Sequence, residues 1–186
     1  MSKEKLSTKQ FLLIINGPSC GGKTTTADIL LERYGGIFNA QSDRIKWLIS
    51  DYDSGTHRGI VHQMTLATIE VALKNNLSVL KQGALYEPEN IIQIAKDLDI
   101  PFFIANISAP KEVLDKRFLG RIDAKKNGVK VANVDPVRFQ ELYDMYLATK
   151  METSLEFDSS IKTPEDIATL IGKHIQDELS KYTSLW

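Results

Sequence analysis

Residues 11–15 (Phe-Leu-Leu-Ile-Ile) are apolar without interruption, the pattern of a central parallel strand buried on both faces. A glycine-rich turn follows at 17–22. From Thr24 to about Tyr34 the apolar positions Ala27, Leu30 and Leu31 recur at helical spacing, and Gly35-Gly36 stops them. The rest of the chain repeats this alternation. Short apolar runs at 37–40, 78–81 (extendable to 85), 102–107 and 155–157 read as strands. Helices are expected from Asp43 to about Tyr52, over 60–74, from Pro88 to about Leu98, from Ser108-Ala109-Pro110 through Leu114 and Phe118, from Pro136 to about Ala148, and over 165–179. Asp43 is placed to cap its helix, and Thr163-Pro164 to cap the last one. The polar stretch 51–59 and the charged stretch 120–133, which contains Asn127-Gly128, read as loops, the second a mobile one. The tail after Ser180 is expected to fray. Strands alternating with helices predict an α/β fold: a five-stranded, mainly parallel sheet with helices on both faces.

Composition narrows the function classes. A chain of 186 residues, 42% hydrophobic and 25% charged, is globular and long enough to bury a core. No repeat, low-complexity tract or linker divides it, so residues 1–186 are expected to form a single domain. Its 23 Lys and Arg against 24 Asp and Glu give a net charge of −1. A general nucleic-acid coat is thereby excluded, while a local basic groove is not. The apolar runs are far too short to span a bilayer, so no membrane is expected as a partner. Cys20 is the single cysteine and allows no intramolecular disulfide, which suits a reducing cytosol. The charged start, Met1-Ser2-Lys3-Glu4-Lys5, is unlike a signal peptide. A cytoplasmic location is the expectation. Three histidines and one cysteine show no metal-ligand spacing, so no structural zinc is expected. Oligomeric state is not readable.

The strongest chemical signal lies directly after the first apolar run. Gly17-Pro18-Ser19-Cys20-Gly21-Gly22-Lys23-Thr24 fits G-x-x-x-x-G-K-[ST] at every position, with a buried strand before it and an amphipathic helix after it. Glycines at 17, 21 and 22 let the backbone curl until its N–H groups face phosphate oxygens. The following helix adds its positive end. Lys23 can reach the β- and γ-phosphates, and the Thr24 hydroxyl can ligate Mg²⁺. Ser19, Cys20 and Thr25 complete the expected phosphate cradle. Cys20 reads as a small residue whose side chain points away from phosphate; the alternative is a thiol activated by the helix end and Lys23.

The GTPase signals, an Asp-x-x-Gly switch and an Asn-Lys-x-Asp base reader, are missing. Asn106-Ile107-Ser108-Ala109 holds the place of the latter without its Lys and Asp. A motor or AAA-type ATPase needs a strand ending in Asp, whereas the third strand here runs Ser78-Val79-Leu80-Lys81-Gln82-Gly83. The size, the early phosphate loop and the late charged segment resemble the P-loop kinases that phosphorylate small molecules or polynucleotide ends. Within that group the chain looks most similar to the polynucleotide-kinase-like ATP-binding family, with zeta toxins and chloramphenicol phosphotransferases as relatives. The resemblance extends over most of the chain, but only the phosphate loop is a specific motif. It implies a carboxylate just after the second strand that meets the acceptor hydroxyl as base or orienting group. In Gln41-Ser42-Asp43-Arg44-Ile45-Lys46 that is Asp43, with Lys46 where the family often has Arg. Arg44 and Lys46 are candidates for an anionic substrate or for solvated surface charge. The chain departs from the family at the third strand. Gln82 or Gly83 stands where an Asp often holds Mg²⁺ through water, leaving Asp43 or Asp158 as substitutes.

Lys116, Arg117 and Arg121 precede Lys125-Lys126. The resemblance makes residues 117–134 a lid whose arginines, Arg121 above Arg117 and then Arg138, close over ATP and stabilise the migrating phosphoryl charge. His57, Arg58 and His62 lie where an acceptor would be met, and Tyr86-Glu87-Pro88-Glu89 can border the same pocket. His174 is expected at the surface. The expectation is an ATP- and Mg²⁺-dependent kinase acting on a hydroxyl of a small molecule or a nucleic-acid end. Two rivals stand beside it: a phosphotransferase for an antibiotic or a sugar nucleotide, and a regulatory nucleotide-binding protein with weak catalysis or none.

Overall fold

The computed structural model describes residues 3–83, 88–129, 135–153 and 155–181. In chain order the elements are β1 (Glu4–Lys5), β2 (Leu12–Asn16), α1 (Lys23–Arg33), β3 (Tyr34–Gly35), β4 (Ile37–Asn39), α2 (Ser42–Lys46), α3 (Ser54–Lys74), β5 (Ser78–Gln82), α4 (Pro88–Asp97), β6 (Phe102–Ser108), α5 (Lys111–Lys126), α6 (Pro136–Thr149), β7 (Leu155–Asp158) and α7 (Pro164–Lys181). The main sheet has the order β4-β5-β2-β6-β7 and is parallel throughout. Two-residue β1 pairs separately with β3.

The apolar run at residues 11–15 explains the layering. Leu12, Leu13, Ile14 and Ile15 are all buried, and successive residues leave opposite faces of β2. Leu13 and Ile15 pack with Ala27 and Leu30 of α1 and Ile167, Ile171 and Ile175 of α7. Leu12 and Ile14 pack with Ile69 and Leu73 of α3 and Ile91 and Ala95 of α4. Each leucine or isoleucine among them contributes about 1.5–3 kcal/mol of transfer free energy. A third cluster joins Cys20 to Leu114 and Phe118 of α5 and Phe139 of α6, with the Phe118 and Phe139 rings stacked 4.2 Å apart.

Several element ends differ from the sequence expectation. The helix expected from Asp43 to Tyr52 is only Ser42–Lys46, and Gln41, not Asp43, is its N-terminal boundary residue. Trp47 and Leu48 beyond it are 74% and 77% exposed, so no apolar contact prolongs the helix. The 51–59 segment is mostly helix, because the Asp53 carboxylate accepts from the Thr56 backbone N–H at 2.8 Å and starts α3 at Ser54. Charged residues 120–126 continue α5, where Ile122 packs against the third cluster. Residues 130–134 of the expected lid, and Tyr86 and Glu87, lie outside the described residues. Thr163 does cap α7: its hydroxyl accepts from the Asp166 N–H at 3.1 Å and donates back to the Asp166 carboxylate at 2.7 Å.

Among the described residues no helix is long and apolar enough to cross a membrane.

Candidate active site at the carboxyl edge of the sheet

From β2 the chain moves outward to β4, returns through β5, and then crosses β2 to reach β6 and β7. Such a reversal leaves a crevice beyond the carboxyl ends of the central strands. The loop 17–22 closes one wall of it. Gly17 has φ +151°, and a Cβ there would lie 1.9 Å from the Ile107 carbonyl oxygen; one at Gly21 would lie 2.7 Å from the same oxygen. Glycine is therefore required for the loop to press against β6. Gly22, at φ +98°, precedes the first residue of α1. Cys20 also adopts a left-handed conformation, and its side chain is buried in the third cluster. Ser19 is half-buried, and Thr24 and Thr25 are exposed in the first turn of α1.

The Lys23 ammonium folds back over the loop and donates to the carbonyls of Gly17 and Pro18 at 2.8 and 2.6 Å. Burial first, and then the nearby Arg121 charge, lower its pKa from 10.5 to about 8, with Lys81 adding to the same effect. Positive charge converges on this loop, as a phosphate-binding site requires.

Arg117 and Arg121 share one face of α5, yet they are used differently. Arg117 donates to the Cys20 carbonyl at 3.1 Å, and to the hydroxyl and carbonyl of Ser159 at 2.9 and 2.7 Å. It ties α5 to the phosphate loop and to the turn after β7. Arg121, one turn further and half-buried, lies close enough to Lys23 to depress its pKa.

Asp43 is exposed near the start of α2, beyond the end of β4, and is ion-paired with Lys46 at 2.7 Å. Its charge reaches Lys81, whose pKa burial lowers from 10.5 to about 8 and Asp43 raises in part. Lys81 is not among the residues the sequence singles out; it follows the apolar pair Val79-Leu80 at the end of β5. Asn16 and Gln82, at the ends of β2 and β5, are buried with amide atoms that have no hydrogen-bond partner, and so is the Thr26 hydroxyl on α1.

Other candidates are engaged locally. His57 Nδ1 accepts from the Asp53 N–H at 3.0 Å within the start of α3. Arg58 and His62 lie four residues apart on that helix, Arg58 exposed and His62 half-buried. Arg44 bonds the Gln41 side chain, and Arg138 pairs with Glu141 at 2.8 Å. Asp158 accepts two bonds from Ser160, which hold its carboxyl below the usual range. His174 departs from the expected surface position: it is half-buried, with its ring edge-on to Phe103 at 5.9 Å. Glu89 is exposed on α4.

These residues fit a nucleotide's phosphates, because the glycine cradle, the Lys23 ammonium and the start of α1 meet at the loop and the Arg121 charge reaches Lys23. For Mg²⁺ the candidate donors are neutral, the Thr24 hydroxyl and the Gln82 amide, an arrangement suited to an ion held chiefly by phosphates and water.

No protein-family model matches the sequence, and a comparison with curated proteins gives no match. Solved structures do match. A gluconokinase from Sinorhizobium meliloti 1021 superposes with a TM-score of 0.62 at 14% identity, over 95% of this chain and 98% of that one. The tunicamycin resistance protein of Deinococcus radiodurans gives 0.60 at 18% identity, over 90% and 96%. The shikimate kinase of Aquifex aeolicus vf5 gives 0.54 at 15%, over 89% and 96%. The fold is that of the P-loop kinases.

Proposed function

We propose that this chain is an ATP- and Mg²⁺-dependent phosphotransferase acting on a hydroxyl of a small molecule or a polynucleotide end. One observation carries the reading: the complete phosphate loop, pressed onto β6 at Gly17 and Gly21, with the Lys23 ammonium held inside it. ATP with Mg²⁺ supplies the phosphoryl group when bound. The loop N–H groups and Lys23 hold its phosphates, and Thr24 is the one protein hydroxyl we assign to the metal. Asp43 would orient the acceptor hydroxyl and take its proton as the bond from that oxygen to the γ-phosphorus forms and the bond to departing ADP breaks. Arg121 compensates charge on the group in transit, and Arg117 positions the loop. A single buried cysteine fits a reducing, cytoplasmic setting.

Gln82 at the third-strand position favours a second reading, a nucleotide-binding regulator without appreciable catalysis. A screen of hydroxylated acceptors with labelled ATP separates the two. A kinase labels at least one acceptor and consumes ATP faster in its presence, whereas a regulator binds ATP and labels none.

A further inference from the structure

Lys81 is 5% exposed at the carboxyl end of β5, in register with Ile14 of β2. Paired residues of adjacent strands present their side chains on the same face, so Lys81 leaves the face that carries α3 and α4. Asn16 lies two residues beyond Ile14 and leaves that face too. It is 1% exposed, and neither its amide nitrogen nor its amide oxygen has a partner.

The Lys81 ammonium has three donors and uses one, to the neighbouring Gln82 carbonyl at 2.8 Å. Among the described residues it makes no ion pair. Asp43 is the carboxylate whose charge reaches it, and that carboxylate is itself bonded to Lys46. Burying an ammonium and an amide without partners is costly, and such groups persist where something else completes their bonding. Gln82, by contrast, follows Leu80 onto the α1 face, on the side of the phosphate loop's helix. Lys81 and Gln82 therefore leave opposite faces of β5, although the Lys81 charge still reaches Lys23 in the phosphate loop.

We infer that Lys81 and Asn16 form a binding site for an anionic group of the acceptor, a carboxylate or phosphate ester carried a few bonds from the hydroxyl that Asp43 meets. The inference rests on the phosphotransferase reading for the identity of the ligand as acceptor. Lys81 supplies the charge and two N–H donors, and Asn16 supplies a further N–H. A neutral polyol would leave the ammonium uncompensated; a hydroxy acid or hydroxyalkyl phosphate satisfies it.

The experiment compares charged and neutral members of matched pairs: D-glycerate and glycerol 3-phosphate against glycerol, and gluconate against glucose. Thermal stabilisation of the full chain is read first, with a non-hydrolysable ATP analogue and Mg²⁺ present, and labelled-phosphate transfer second. An anionic member of at least one pair is expected to raise the melting temperature where its neutral counterpart does not, and to be preferred at least about tenfold in kcat/KM. The carboxylate and phosphate arms tell which anion is taken. Lys81→Met should abolish the preference in a variant that still folds and still binds the ATP analogue. Equal effects of charged and neutral members in every pair overturn the inference without any variant, as does a preference that survives Lys81→Met. If an anion stabilises in a Lys81-dependent way but nothing is labelled, the anion site stands and the phosphotransferase reading fails.

Discussion

The Arg117 guanidinium grips Ser159 twice, at the hydroxyl (2.9 Å) and at the carbonyl (2.7 Å), while the same nitrogen that meets the hydroxyl reaches the Cys20 carbonyl at 3.1 Å. Three segments distant in sequence, the phosphate loop, α5 and the turn after β7, are pinned at one cation. In the phosphotransferase reading we propose, an arginine so engaged positions the loop and Arg121 meets the migrating charge. Arg117→Ala is expected to lower stability by about 1.5–3 kcal/mol, the range for hydrogen bonds to a charged group, and to weaken ATP binding. Arg121→Ala should melt as the unaltered protein does and lose at least about tenfold in turnover. Thermal melts and acceptor assays on both variants check this, and identical behaviour of the two would contradict it.

Two glycines offer a paired test of the loop. A Cβ at Gly17 would meet the Ile107 carbonyl oxygen at 1.9 Å, whereas one at Gly120 in α5 meets nothing within 4 Å. Gly17→Ala is expected to abolish nucleotide binding in calorimetry and to destabilise the fold. Gly120→Ala should stabilise it by about 0.5–1 kcal/mol, because alanine loses less backbone entropy in a helix.

Lys23, with its pKa lowered to about 8, should report phosphate binding through protons. A phosphate beside it favours the charged form and raises the pKa. ATP binding at about pH 8.5 is therefore expected to take up protons, visible as a dependence of the calorimetric enthalpy on buffer ionisation, and to take up far fewer at about pH 6.5. Lys23→Met should remove the uptake. In the free protein Lys23 and Lys81 both fall from 10.5 to about 8, so the unfolded chain holds more protons between those values. Their contribution to stability consequently rises with pH from about 8 to 10.5, and Lys81→Met should flatten that part of the profile.

Asp43 is not a helix cap, and its pairing with Lys46 is exposed, worth about 0–1 kcal/mol. Both Asp43→Asn and Asp43→Ala should therefore fold and bind ATP nearly as the unaltered protein does. Both are expected to lose phosphate transfer by about a hundredfold if the carboxylate takes the hydroxyl proton. Transfer at the normal rate by Asp43→Asn would remove Asp43 from the chemistry.

The strand–loop–helix around Lys23 is legible in sequence because every level agrees there: a doubly buried apolar run, glycines where β6 presses close, and helical spacing afterwards. The end of α2 is not, since Trp47 and Leu48 look like helix-stabilising apolar residues but stand largely exposed. Residues 120–126 hide their helix for the opposite reason. Ile122 is the one large apolar side chain there, too little for a visible period, and packing of α5 decides the outcome. Lys81 escapes a linear reading because a lysine at a strand end looks the same whether it faces solvent or a crevice. The switch in strand order that buries it is a property of the whole sheet.

The central claim is that the loop around Lys23 transfers phosphate rather than merely adorning a turn. Its most direct test is labelled-phosphate transfer from ATP to an acceptor found by screening, measured for the unaltered protein and for Lys23→Ala, with a thermal melt of each. The account predicts Mg²⁺-dependent transfer by the former and a loss of about a hundredfold or more in a Lys23→Ala variant that still folds. Undiminished transfer by the folded variant, or no ATP binding by the unaltered protein, would contradict it.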